Sequence, residues 1–425
     1  MWKSARFGTS PGRVFDRTGH TNGVPAKVRS TDPGHASVGS EAAVMAGLRG
    51  FRGSRTVGLD IDRGSIKAVQ VSGSGGGYAL QHVGYHRLPP GTILDGEVAD
   101  QDLLAAEIRE FWDSHSFSGK SVTIGVSNQK VVVRLLDFPR MRPEDLQGAI
   151  SFEAQDHIPM PLDEAVLYYV VLGPREERSD LDRVLVVAAQ REMISRYTSA
   201  VRTGGLRPAG VDVKALSLTR STLPDPFFGD EGAVLLLDVG AEIANLVVAD
   251  RGNPVLTRFV PVGLGDFVAA VMELADLPED EAERHALDPR VRLGSELDET
   301  QEPEEDLEEE PQEEPEGDGF DPALAFDVRR GLEGAAQTLA DEVQRSIEHH
   351  RSQESAREVS RVLLSGEAAL IPNLDNYLGE LLDVPTARGK PVERLSANRS
   401  NISDDQLRAM EPVLAVAFGL AMEEE

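Results

Sequence analysis

The sequence predicts an α/β protein of two similar halves around a cleft, and three observations lead there. A strand–aspartate–turn–strand unit occurs twice. Val57-Gly58-Leu59 ends in Asp60, turns, and resumes as the alternating strand Ile66 to Val71; Val234 to Leu237 ends in Asp238, turns through Val239-Gly240-Ala241-Glu242, and resumes as Ile243 to Val248. Each copy is followed by a third strand, Tyr78 to His86 and Pro254 to Pro261. A length of 425 residues also exceeds one hydrophobic core, so two or three domains are expected.

Composition narrows the class. A net charge of −29 argues against a nucleic-acid surface, which has to be basic. The chain has no cysteine, so thiolate and disulfide chemistry are excluded. No apolar run reaches the length of a membrane span, and the first residues lack the apolar core of a signal peptide. A soluble cytoplasmic protein is expected.

In order along the chain, residues 1–55 are rich in Gly, Ser, Thr, Pro and Arg and read as a disordered basic tail. Ala43 to Arg52 is faintly amphipathic and basic, suited to touching an anionic membrane surface or to being a plain leader. Gly91 to Asp100 reads as a loop. Gln101 to Asp113 is an amphipathic helix with Leu103, Leu104, Ile108, Phe111 and Trp112 inward. Val122–Val126 and Val131–Leu136 are strands. Pro143 opens a helix that carries Leu146, Ile150, Phe152 and Glu153 and breaks at Ile158-Pro159-Met160-Pro161. Two strands follow, Ala165–Leu172 and Arg183–Gln190. A helix from Arg191 to Thr203 stops at Gly204-Gly205, and Leu206–Val213 leads into a helix at Lys214–Thr222.

Beyond the second hairpin, Gly263 to Asp266 opens a helix at Phe267–Leu274, and Glu279–Ala286 continues in helical style. Residues 296–320, dense in Glu, Asp and Pro, read as an acidic disordered insertion. Phe326–Arg351 is a long helix with Leu332, Ala336, Leu339, Val343 and Ile347 apolar. Val359–Ser365 is a strand, Asn373–Leu382 a helix, and Glu411–Ala421 a closing helix of small residues.

The repeated turns carry the candidate chemistry. Backbone N–H groups of such a turn suit phosphate oxygens, and an aspartate at a strand end can hold Mg²⁺. In either copy alone Asp and Gly are ordinary turn residues. Two such turns across a cleft would clamp a nucleoside triphosphate.

Together with the late strand ending in Ser365-Gly366, the hairpins resemble the actin/Hsp70/sugar-kinase ATPase superfamily, with its two RNase-H-like domains around a nucleotide cleft. That resemblance implies a first phosphate motif at Asp60, Asp62, Arg63, Gly64, Ser65 and Lys67. The second phosphate motif would comprise Asp238, Gly240, Ala241, Glu242, Asn245 and Gly263. Gly366, Glu367 and Ala368 would form the adenosine motif, joined by Glu342, Arg345 and Ser346 on one face of the long helix. Asp60 and Asp238 would be the metal residues, and ATP with Mg²⁺ the cofactors.

Within the superfamily, the stretches LDGEVAD (94–100), LDFPRMR (136–142), FEAQDHIPMP (152–161), Val211–Lys214, Glu281–Arg284 and PVLAVAFGLA (412–421) resemble the PilM family of type IV pilus assembly, itself similar to FtsA. The likeness runs from about Thr56 to Ala421, apart from the acidic insertion. It implies a first domain over 56–222 with a 1C subdomain at about 84–172, and a second domain over 230–422 whose final helix, 412–422, packs back on the first. It implies a cytoplasmic scaffold at the inner-membrane face, active in pilus assembly and twitching motility. Its expected partner is the N-terminal cytoplasmic segment of a PilN-like membrane protein, bound between subdomains 1A and 1C. Motor ATPases and a homo-oligomer or ring are further expected partners.

Two positions depart from the family pattern. Asp62 and Glu367 stand where glycine is usual. At ~4 Å and a surface-like dielectric, a carboxylate beside a phosphate costs on the order of 4 kcal/mol, with Arg63 or Mg²⁺ as the expected compensation. Degenerate or weak ATP binding and little hydrolysis follow. Gln155 and Asp156, beside Ile158-Pro159, read as a structural elbow. The alternatives are an active ATPase or kinase of the superfamily and an FtsA-like filament former. The acidic close Ala421-Met422-Glu423-Glu424-Glu425 lacks the membrane helix of the latter.

Overall fold

Strand β1 (Val57–Ile61) is buried along its whole length, and its antiparallel partners β2 (Ser65–Ser74) and β3 (Gly77–Arg87) follow by tight turns. These strands come from a computed structural model, which describes residues 57–74, 77–175, 178–223, 232–294, 322–353 and 356–422. The expected basic tail and acidic insertion lie outside the described residues, as does the end of the chain from 423.

A two-residue-per-strand hairpin, β4 (Ile93–Leu94) and β5 (Glu97–Val98), precedes helix α1 (Gln101–Ser114). Asp100 caps α1 by accepting from the Leu103 N–H at 2.9 Å, and Leu104, Ala105, Ile108, Phe111 and Trp112 face the core. Leu103, expected inward, is half-buried because it sits in that first turn. Strand β6 (Ser121–Val126) pairs parallel to β1.

The chain then leaves this sheet. Strand β7 (Val131–Pro139), helix α2 (Pro143–His157), β8 (Ala165–Pro174) and β9 (Leu181–Gln190) make a separate three-stranded sheet in the order β7-β9-β8. Leu146 and Ile150 of α2 pack with Phe138, Val184 and Val186, and Ala154 packs with Val132 and Ala188. Helix α3 (Arg191–Thr203) returns to the first sheet, where β10 (Arg207–Val213) pairs parallel to β6 and helix α4 (Lys214–Thr222) follows.

The second half repeats the plan. Strands β11 (Ala233–Val239), β12 (Ala244–Asp250) and β13 (Asn253–Val260) form an antiparallel meander, followed by α5 (Leu264–Ala275), α6 (Glu279–Ala286) and α7 (Pro322–Arg351). Every expected apolar position of α7 is buried, because the 3.6-residue period puts all five on one face. Strand β14 (Val359–Ser365) pairs parallel to β11. Helix α8 (Leu374–Leu382) and strand β15 (Thr386–Arg388), parallel to β14, complete the half. The order β13-β12-β11-β14-β15 therefore reproduces β3-β2-β1-β6-β10 of the first sheet.

Two expected boundaries move. Between residues 84 and 126, β3 and β6 bond to β2 and β1 of the first sheet; the separate three-stranded sheet spans Val131–Gln190 instead of 84–172. The second domain was expected to run to 422. Strand β16 (Leu395–Asn398) instead pairs parallel to β3, at the edge of the first sheet. After α9 (Asp404–Met410), capped by Ser403 and Gln406, a 3₁₀ turn at Glu411–Leu414 leads into α10 (Ala415–Ala421). All of α10 is buried against β1, β2, β6 and α4. Its small residues permit that depth. A β-carbon on Gly419 would fall 1.9 Å from the Ser217 carbonyl oxygen of α4, so helix meets helix backbone to backbone there.

Candidate functional site

In the first hairpin the Asp62 N–H donates to the Ser65 carbonyl at 2.9 Å, closing a turn that sets Asp60 opposite Lys67. Residues directly opposite in an antiparallel pair project to the same face. Lys67 Nζ accordingly lies 3.6 Å from Asp60 Oδ2. It also lies 3.3 Å from Glu367 Oε1, and the Ser65 hydroxyl donates to that same oxygen at 2.6 Å. Glu367 opens the 3₁₀ turn Glu367–Leu370 directly after β14, so it reaches the first hairpin from the other half. Its neighbours divide: Gly366 donates its N–H to the Pro412 carbonyl at 2.9 Å, and Ala368 is sealed in the second core.

Lys214 heads α4 and points into the same place. Its ammonium lies 2.8 Å from Asp60 Oδ1, 3.0 Å from the Ile61 carbonyl oxygen and 3.7 Å from Asp62 Oδ2. Asp62 is therefore compensated by Lys214. The expected compensator, Arg63, has its guanidinium on Glu242 of the second hairpin, while its N–H donates to Asp62 Oδ1 at 2.9 Å.

The second hairpin repeats the geometry with a neutral partner. Asn245 stands opposite Asp238, donates its amide to Asp238 Oδ2 at 3.2 Å, and accepts from the Ser127 hydroxyl of the first half. Gly263 caps α5, and the Leu264 and Gly265 N–H groups donate to the Gly240 and Ala241 carbonyls, each at 2.9 Å. The two turns touch: a β-carbon on Gly240 would lie 2.8 Å from Asp62 Oδ2, and one on Gly64 3.5 Å from the Ala241 methyl.

The electrostatics follow from burial. Desolvation opposes the charge of Lys67, yet Glu367, then Asp60, Asp62 and Asp238, hold its pKa well above the ordinary value. Lys214 is raised likewise, against burial, by Asp60 and Asp62. Burial pushes Asp62 up, but Lys214 and Lys67 bring it below the usual carboxylate value. Among the described residues no cation pairs directly with Asp238, and burial lifts it to about 6.

The long-helix trio meets β13: Arg258 donates to Glu342 Oε2 at 3.2 Å and to the Ser346 hydroxyl at 2.9 Å, and Arg345 donates to Glu342 Oε1 at 2.5 Å. Lys214 and Ser127 were absent from the expected site. Lys214 had a signal, as the last residue of the Val211–Lys214 stretch, but a lysine at a helix start does not by itself say which carboxylate it meets.

The arrangement ties two halves together through charge. Two lysines, Lys67 and Lys214, meet Asp60 and Glu367, and Asp60 and Asp62, respectively. With the turns in contact and both ammoniums already matched by carboxylates, these residues do not fit a nucleotide phosphate as they stand. The expected metal residue Asp60 is taken up by the lysines, and among the described residues no group of three or more His, Cys, Asp or Glu side chains is arranged to hold a metal ion. Gln155 and Asp156 are exposed in the last turn of α2, which ends in the buried cap Ile158. Phe152, one turn earlier, is 71% exposed. Among the described residues no helix is long and apolar enough to cross a membrane.

The family described as type IV pilus assembly protein PilM matches residues 58–292 and 327–425. Among solved structures, the chain is similar to a PilM-PilN type IV pilus biogenesis complex at 26% identity and a TM-score of 0.69, over 87% of this chain and 98% of that one. It is also similar to the ethanolamine utilization protein EutJ from Carboxydothermus hydrogenoformans, at 12% identity and a TM-score of 0.47, over 88% of this chain and 90% of that one. MreB5 of Spiroplasma citri bound to ADP gives 11% identity and a TM-score of 0.46, over 86% and 94%. The fold, two α/β halves with matching strand orders, is the one that the duplicated hairpins predict.

Proposed function

Because the chain belongs to the PilM family of type IV pilus assembly proteins, we propose that it is an assembly adaptor of the pilus machine that binds the N-terminal cytoplasmic segment of a PilN-like membrane protein. The observation that carries this reading is the likeness, over nearly its full length, to a PilM solved in a PilM-PilN complex. On this reading the protein works at the cytoplasmic face of the inner membrane, holding PilN to the motor ATPases as a scaffold, and forms a ring or other homo-oligomer.

The cleft supports an adaptor over an active ATPase or kinase. Asp62 and Glu367 put two carboxylates on the cations that a phosphate would need. ATP and Mg²⁺ binding is accordingly weak or lost in this member.

The deciding measurement is a titration of the purified protein with a peptide from the N-terminus of the PilN-like protein of the same organism, with and without MgATP. Saturable binding in both conditions is the expected result. Failure to bind in either would discard the adaptor reading, and steady phosphate release from MgATP would favour the ATPase.

A further inference from the structure

We propose that Glu367 is a built-in substitute for a nucleotide phosphate: its carboxylate, offered from the second half to Ser65 and Lys67 of the first, holds the cleft closed with no nucleotide. The inference deepens the adaptor reading, on which it rests for the fold's ancestry, and concerns how the two halves are held.

The geometry carries it. Ser65 and Lys67 occupy the turn and returning strand where an actin-like chain would meet phosphate oxygens, and they are sealed from solvent at 0% and 2% exposure. Their common acceptor is one carboxylate oxygen, Glu367 Oε1, at 2.6 and 3.3 Å. A hydroxyl and an ammonium converging on one anionic oxygen is phosphate-type recognition, met here from within the chain. The carboxylate belongs there energetically as well. Glu367 is 8% exposed, and a buried carboxylate without a cation would be strongly unfavourable.

The rest of the interface is built to match. Asp62 packs on the bare α-carbon of Gly240, Arg63 pairs with Glu242, and Ser127 donates to Asn245. At the cleft's outer edge Arg87 holds Glu283 of α6 through two hydrogen bonds, at 2.6 and 3.0 Å. Every one of these contacts runs from the first half to the second. A phosphate entering between Ser65 and Lys67 would have to expel Glu367 and would then face Asp60 and Asp62. In a nucleotide-gated clamp the ligand supplies the anion that joins the halves; in this chain Glu367 supplies it permanently, so closure no longer reports nucleotide.

The test uses the full chain, which has no cysteine of its own. Spin labels at Glu110→Cys on α1 and Gln344→Cys on α7, both exposed, report the separation of the halves by dipolar spectroscopy. The expected result is one narrow distance distribution that millimolar MgATP leaves unchanged. Glu367→Gly should broaden it, MgATP should narrow it again, and calorimetry should show binding heat where the wild type gives none. Should Glu367→Gly fail to fold, Glu367→Gln retains an acceptor for Ser65 and removes the charge facing Lys67, and should broaden the distribution too. The proposal is overturned if MgATP narrows the wild-type distribution, or if the folded Glu367 variant keeps the wild-type distance. Peptide binding by a wild type that narrows with MgATP would keep the adaptor and discard the clamp. An unchanged distance with no peptide binding would do the reverse.

Discussion

The ammonium of Lys214 lies 2.8 Å from Asp60 Oδ1, joining the corner between β10 and α4 to the first hairpin. Both side chains are buried, and the same ammonium also touches the Ile61 carbonyl oxygen and approaches Asp62. One cation thus organises the first turn.

Replacing it should expose how much rests on it. Lys214→Met keeps the stem and removes the charge, leaving Asp60 and Asp62 with less compensation in a dry site. Breaking a buried ion pair from one side typically costs ~3–5 kcal/mol. The urea midpoint should fall accordingly with an unchanged slope. A midpoint within experimental error of wild type would show the pair to be dispensable.

Asp238 should give the protein a pH dependence opposite to ordinary acid denaturation. Its pKa is raised to about 6 in the fold, against an unfolded value near ~3.9. The group therefore adds stability below its unfolded pKa and loses it as pH rises through about 6. Between about pH 5 and about pH 7.5 that loss is on the order of 1 kcal/mol. Asp62, shifted downward, acts in the other direction and only in the acid range below its unfolded pKa, so the windows are separate. Melting curves across this range should show the loss in the wild type and its removal in Asp238→Asn; equal slopes in both would refute the assignment.

Gly419→Val should be among the most damaging single changes. The new side chain would meet the Ser217 carbonyl, itself fixed in α4, and overpacking of this kind costs ~1–3 kcal/mol or more. A large drop in melting temperature is expected, and near-wild-type melting would mean that α10 can lift off α4.

The FEAQDHIPMP stretch should divide sharply between its residues and the core just before it. Phe152→Ala, at an exposed site, should shift stability by no more than ~0.5 kcal/mol. Ile150→Ala, at a fully buried one, should cost ~2–5 kcal/mol. Comparable losses from both would show that Phe152 is covered in solution.

The duplicated hairpins were legible because the pattern is local: a buried strand, an aspartate and a turn follow one another in the chain, and the same register, Asp60 with Lys67 and Asp238 with Asn245, falls out of it. The face of α7 was legible for the same reason, since helical period alone selects its buried side. Asp62 and Glu367 could also be singled out by type, as carboxylates where the resemblance implies glycine. What they do was decided elsewhere. Which cation answers Asp62 depends on the arrival of Lys214 from a strand corner 152 positions away, and the partner of Glu367 depends on the approach of the two halves. The placement of β16 at the edge of the first sheet likewise rests on pairing with a strand far back in the chain. Periodicity and turn chemistry act between neighbours in sequence, whereas burial of charge is settled among groups that only the folded chain brings within a few ångströms.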